Sequence, residues 1–149
     1  FGVRMAIILW RLGADSFYWY YFANVPYNSF LHNRSGLCGS YRTGFQKKLA
    51  FRTFGKIYQL LGHYHFYKII REDDEAYAYL FKDHKNGKQI LMVWRPVEDM
   101  SIMPKWITLP VSFNVMKITP LIEGGVVQYK ALHESIKLKL SGTPVFVEF

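Results

Sequence analysis

The chain of 149 residues has one cysteine, Cys38. That excludes a disulfide framework within the chain and any cysteine cage for zinc. It lacks a run of about 18 apolar residues, because Arg11 and Asp15 interrupt the first apolar stretch, so no membrane-spanning helix is expected. It has no basic start followed by a small-residue cleavage site, so no signal peptide is read. It has no initiator Met and opens on Phe1 inside an apolar stretch, which gives the expectation of a segment from a larger protein. Gly124-Gly125 is followed by no helical pattern, so no phosphate-cradling loop is read. Acids are scarce: Asp15 is the sole carboxylate in residues 1–62.

What is present is apolar and aromatic. Half of the residues are hydrophobic and a fifth are charged, a globular composition. Aromatics make up 18% of the chain, and six of them stand in a row at residues 17–22, inside "DSFYWYYFANVP". The formal charge of +8 keeps nucleic acid in view. The basic residues are scattered, however, with no run longer than Lys47-Lys48, and nucleic acid is not expected as the partner.

Local patterns divide the chain. Residues 1–13 read as the end of a buried helix with Gly13 at the cap. Residues 16–22, apolar on both faces, predict a strand covered on both sides. A loop of some two dozen residues follows, rich in Asn, Ser, Gly, Tyr and Arg. Residues 47–61 predict a second helix, with Ala50, Phe54, Ile57 and Leu61 on one stripe and Lys48, Arg52 and Lys56 on another.

After Gly62 the texture changes to eight short strand-like stretches, from "YHFYKIIRE" to "PVFVEF". Asn86-Gly87 signals a two-residue hairpin. In "SIKLKL", Ile136, Leu138 and Leu140 face inward while Lys137 and Lys139 face outward. The expected fold class is α/β plus all-β. A helix–strand–helix piece (residues 1–62) precedes an antiparallel β-sandwich of about eight strands (residues 63–149).

A strand that runs into a long loop marks the carboxyl end of a parallel strand, where ligands bind in barrels and open α/β sheets. Trp19, Tyr20, Tyr21 and Asn24 lie nearest that end and are the candidate binding residues, together with His32 in the loop. A Trp or Tyr face suits the C–H side of a pyranose, and an Asn can fix a hydroxyl. His63 and His65 alternate on one strand, but a zinc site needs further ligands, and no metal site is read. Cys38 has no evident base beside it and reads as a small buried thiol. The acidic run at residues 72–75 reads as a solvated hairpin connection. Asn33-Arg34-Ser35 fits a glycosylation acceptor.

Gly13, Phe17-Tyr18-Trp19-Tyr20, Gly36-Leu37, Lys48 and Ala50-Phe51 follow one another in the order of a known pattern. Together they resemble the end of a (β/α)8-barrel glycoside hydrolase of the large retaining clan, similar to family thirty-nine or a relative. Where that pattern often has Lys-Pro-Ala, this chain has Lys48-Leu49-Ala50. The closing "LKLSGTPVFVEF" is similar to the last strand of the β-sandwich that follows such barrels.

The resemblance implies residues 1–62 as the end of an incomplete barrel, whose missing N-terminal portion is a partner, and a carbohydrate substrate. It implies no cofactor and no membrane. Retaining glycosidases need two carboxyl groups about 5–5.5 Å apart. Asp15 alone, at the entry to the strand, cannot supply them, so no catalytic residue is expected here. A full-length protein that degrades polysaccharide would be secreted or periplasmic. Two alternatives stay open: a non-enzymatic carbohydrate-binding β-sandwich module, and a basic nucleic-acid binder.

Overall fold

The computed structural model describes residues 2–25, 35–97, 103–111, 114–122 and 127–149. The chain is a mixed α and β protein. Among the described residues, two helices and eight strands in two sheets divide into two compact units, Phe1–Leu60 and Leu61–Phe149.

In the first unit, helix α1 (Gly2–Arg11) buries Val3 and Ile7, one turn apart. Gly13, at φ 89°, ends it in a left-handed cap. Its amide donates to the Trp10 carbonyl and that of Ala14 to the Leu9 carbonyl, both at 3.0 Å, the paired bonds of a Schellman motif. Helix α2 (Leu49–Leu61) carries the expected stripe, with Ile57 and Leu61 buried. Thr53 is also buried, and its hydroxyl donates to the Ala50 carbonyl at 2.9 Å. Between the helices, a 3-10 turn (Tyr41–Thr43) ends at Gly44, φ 61°.

The strand expected over residues 16–22 is not formed as a regular strand. The sole β pairing there among the described residues is an isolated parallel bridge between Ala23 and Cys38, and Cys38 in turn bridges Lys47 antiparallel. The reason is the lack of a partner: a ladder needs a neighbouring strand, and among the described residues only the short stretch around Cys38 pairs beside this one. No closed barrel is formed among the described residues.

The second unit holds strands β1 (Tyr64–Glu72), β2 (Tyr77–Asp83), β3 (Gln89–Trp94), β4 (Lys105–Leu109), β5 (Lys117–Pro120), β6 (Tyr129–Ala131), β7 (Ile136–Leu140) and β8 (Val145–Glu148). One sheet has the order β1-β2-β3-β8-β5 and the other β4-β7-β6, every pair antiparallel. The two share one apolar core. Ala78, Leu80, Leu91, Val93, Val145 and Val147 come from the larger sheet, and Ile107, Leu109, Ile136, Leu138 and Leu140 from the smaller. The central strands β2 and β3 are buried on their other face too, where Tyr79 meets Trp94 edge-on at 5.5 Å. Edge strand β1 pairs with β2 through two register shifts, between Phe66 and Lys68 and between Ile69 and Arg71.

Two connections depart from the sequence reading. The β2–β3 turn is a four-residue loop at residues 84–87. The Asp83 amide donates to the Lys88 carbonyl at 2.9 Å and closes the loop, rather than a two-residue turn at Asn86-Gly87 doing so. Two side chains hold the longer form: Asp83 Oδ1 accepts from the Lys85 amide at 2.7 Å, and Asn86 Oδ1 from that of Lys88 at 2.9 Å. Gly87, at φ 72°, supplies the left-handed residue.

The acidic β1–β2 connection is braced by ion pairs as well as solvated. Arg71 reaches Asp73 and Glu75 at 2.6 Å each, and Lys105 also bonds Glu75. Asp73 Oδ1 accepts the amides of Glu75 and Ala76, both at 2.9 Å.

Candidate functional site

The aromatic row behaves like a half-covered strand despite its missing ladder. Phe17, Trp19 and Tyr21 are half-buried, whereas Tyr18, Tyr20 and Phe22 are 87%, 72% and 63% exposed. Phe17 and Trp19 alternate with the exposed Tyr18 as in β structure. Past them the alternation fails, since the Tyr21 ring lies against that of Tyr20 and Phe22 meets Phe51 of α2 edge-on at 6.2 Å. Phe17 stacks on Phe54 at 5.9 Å, and Trp19 tilts against the same ring at 5.3 Å. Gly2 lets α1 approach, since a Cβ there would lie 2.5 Å from the Trp19 ring. The indole N–H of Trp19 donates to the Ser35 carbonyl at 2.8 Å. Trp19 is therefore chiefly a packing residue of this unit, with its one polar atom engaged.

The end of the row is tied to the following loop by backbone bonds. The Cys38 amide donates to the Phe22 carbonyl at 2.9 Å, and the Asn24 amide to the Cys38 carbonyl at 3.0 Å. Gly36 permits this contact: a Cβ there would stand 2.4 Å from the Ala23 carbonyl carbon and 2.5 Å from the Asn24 nitrogen. Asn24 Oδ1 accepts from the Lys48 ammonium at 2.7 Å and from the Gly36 amide at 3.2 Å. An Asn carboxamide has two further donors, and its NH2 group makes no bond among the described residues.

Tyr20 and Tyr21 are joined by a cis peptide bond, and their ring centroids lie 3.7 Å apart. The Tyr21 hydroxyl is pushed above its ordinary pKa, first by its hydrogen bond with Tyr20 and then by burial. The Tyr21 phenol therefore stays neutral at physiological pH and can donate as well as accept.

The structure thus pairs Tyr20 with Tyr21 and, separately, Asn24 with Lys48, and it seats Trp19 on Phe54 of α2. His32 lies outside the described residues. Lys48 is the member that sequence reasoning did not assign to the site. It stands 24 positions from Asn24, and only its place at the start of α2 gave a signal.

No group of three or more His, Cys, Asp or Glu is arranged for a metal ion among the described residues. His65 instead stacks on His84, with centroids 3.6 Å apart. Burial, then the nearby His84 and Lys82, lower its pKa against the opposing pull of Asp83. Cys38 is buried. Asp73 and Glu75 are held below the usual carboxylate range, Asp73 first by Arg71 and Glu75 first by Lys105. A general acid needs the opposite shift.

The fold defines a class no narrower than a mixed α and β chain with a helical unit and a two-sheet unit. Compared with family models, curated proteins and solved structures, the chain matches none. No helix among the described residues is long and apolar enough to cross a membrane.

Proposed function

We propose that the chain is the C-terminal part of a retaining (β/α)8-barrel glycoside hydrolase, similar to family thirty-nine, followed by its β-sandwich domain. The observation that carries this reading is the half-covered aromatic row. Phe17 and Trp19 seat on α2, with Gly2 of α1 against the Trp19 ring, as the last strand of a barrel seats on its helices, while Tyr18 and Tyr20 stand open. A strand of that composition suits burial on both faces, so the open face fits the remaining barrel as its cover. The two sheets with their common core would then be the sandwich that braces it.

In this reading the chain supplies part of the wall of a sugar pocket and no catalytic carboxylate. Tyr20 and Tyr21 offer ring faces to a pyranose, and Asn24, oriented by Lys48, offers its NH2 group to a hydroxyl. Trp19 supports the wall from behind. His32 belongs to the same loop in the sequence. The full-length protein would be secreted or periplasmic and act on poly- or oligosaccharide.

The test is hydrolysis of aryl glycosides and polysaccharides by this chain alone and by the chain joined to what its reading frame encodes before Phe1. The chain alone should show no turnover. The extended protein, with roughly 200 further residues to complete a barrel, should be active, and Tyr20→Ala or Asn24→Ala should weaken it. Robust turnover by the chain alone would sink the reading, as would an upstream frame that encodes no paired carboxylates.

A further inference from the structure

The outer face of the three-stranded sheet carries an unusual set of side chains. Strands β4, β7 and β6 read KWITL, IKLKL and YKA and contain no acidic residue. Their inward positions, Ile107, Leu109, Ile136, Leu138 and Leu140, enter the core. The alternation then puts Trp106, Lys130, Lys137 and Lys139 on the other face. Register places them side by side: Lys139 opposite Trp106, and Lys130 opposite Lys137. The ammonium groups of Lys130 and Lys137 stand 5.8 and 5.9 Å from the Trp106 ring centroid. Trp106 is 37% exposed.

Like charges directly opposite one another in a sheet are unfavourable, and none of these three lysines is paired with a carboxylate among the described residues. Lys105, whose register partner is the core residue Leu140, is by contrast neutralised by Glu75. Lys139 also lines a cavity of about 410 Å3, whose walls include Pro104, Pro120, Val127 and Val145 with Gln128 and Ser141. A flat ring and three ammonium groups without a carboxylate partner among the described residues therefore share one face, and Lys139 borders a recess that runs toward Pro120 and Val145 of the larger sheet.

We propose that this face binds acidic polysaccharide, a chain of pyranoses bearing carboxylate or sulfate groups. The Trp106 ring takes the C–H face of one sugar, and Lys130, Lys137 and Lys139 meet the anionic groups beside it. The recess next to Lys139 accepts a neighbouring residue of the glycan. Single-stranded nucleic acid shares the charge, but platforms for it stack successive bases on several aromatic rings, and this face has one. The proposal rests on the carbohydrate part of the preceding reading and on none of its barrel part.

The test is titration of the 149-residue chain with polygalacturonate, dextran sulfate, uncharged dextran and oligodeoxythymidylate, followed by Trp fluorescence and calorimetry. Polygalacturonate and dextran sulfate distinguish a carboxylate site from a sulfate site, and binding of either supports the proposal. Dextran should bind at least about tenfold more weakly, and affinity should fall as salt is raised. Trp106→Ala should cost roughly tenfold.

The combined change Lys130→Gln, Lys137→Gln and Lys139→Gln should abolish binding with the far-UV spectrum unchanged. The same loss of charge at Lys82, Lys85 and Lys88 should leave affinity within about twofold. Tyr58→Ala, which removes an exposed ring of the first unit, should also leave it unchanged. Equal loss from the two lysine triples, equal binding of dextran, no binding of either polyanion, or tighter binding of the oligonucleotide would overturn the proposal.

Discussion

Replacing Gly36 by Ala tests how the aromatic row is held. The added methyl would lie 2.4 Å from the Ala23 carbonyl carbon, 2.5 Å from the Asn24 nitrogen and 2.9 Å from the Ala23 Cα. All three are backbone atoms, so no side chain can swing aside. The segments must separate, and four bonds depend on their contact. These are Asn24 to Cys38, Cys38 to Phe22, Leu37 to Tyr21, and the Gly36 amide to Asn24 Oδ1. At about 1 kcal/mol net per hydrogen bond, complete separation costs about 4 kcal/mol. Partial separation, which keeps some bonds through water, costs about 2 kcal/mol.

Gly55→Ala on α2 is the matched control. A Cβ there meets nothing within 4 Å, so the change should stabilise by about 0.5–1 kcal/mol through helix propensity alone. Hydrogen exchange followed by mass spectrometry separates local opening from global loss. In the Gly36 variant the amides of Asn24, Leu37 and Cys38 should exchange roughly 30-fold or more faster, the equivalent of about 2 kcal/mol. Strands β2 and β3 should keep their protection. Unchanged exchange at Cys38 would refute the reasoning, because the contact would then not depend on the missing side chain.

Three further outcomes are expected. Trp19→Phe keeps most of the packing on Phe54 but removes the bond to the Ser35 carbonyl. It should cost about 1 kcal/mol in urea denaturation, and a loss under about 0.3 kcal/mol would make that bond incidental.

The folded-state pKa values of Asp73 and Glu75 are lowered. Their stabilisation is therefore fully present above the unfolded values and is lost as pH falls through the folded ones, below about pH 4. Ala76 amide exchange between pH 7 and 3, corrected for intrinsic rates, should show it, and Arg71→Ala should move the loss to higher pH. His65 also has a lowered pKa. Its contribution is complete above about pH 6.5 and erodes as pH falls below that, so His65→Gln should flatten the stability profile between pH 7 and 5.

Much of the two-sheet unit is legible because its code is local. The alternation in IKLKL fixes the inward face of β7 without reference to any other strand, and the core contains those inward residues. The cap at Gly13 is equally local. What misled was context. Residues 16–22 have strand composition, but strand formation depends on a partner, and among the described residues the row has only the stretch around Cys38. The Asn86-Gly87 signal was overridden by the Asp83 side chain, which stabilises a longer loop.

The Asn24–Lys48 bond joins residues too far apart in sequence to be inferred from spacing. Trp106 with its lysines could have been found by combining the alternation of β7 with that of β4. The pairing of those two strands, 31 positions apart at Lys105 and Ile136, was not readable.

The two register shifts in β1 have a consequence for how copies of this chain would meet. A nine-residue edge strand, if flat, offers an unbroken row of amides and carbonyls to a neighbour. Here the row is broken twice, and Lys68 and Arg71 lie at the breaks. A second strand docking there would lose register after two or three residues. Self-association at high concentration should therefore run through the open rings of Tyr18, Tyr20 and Phe22. Such aggregates would be amorphous and sensitive to mild detergent, without the cross-β spacing of fibrils.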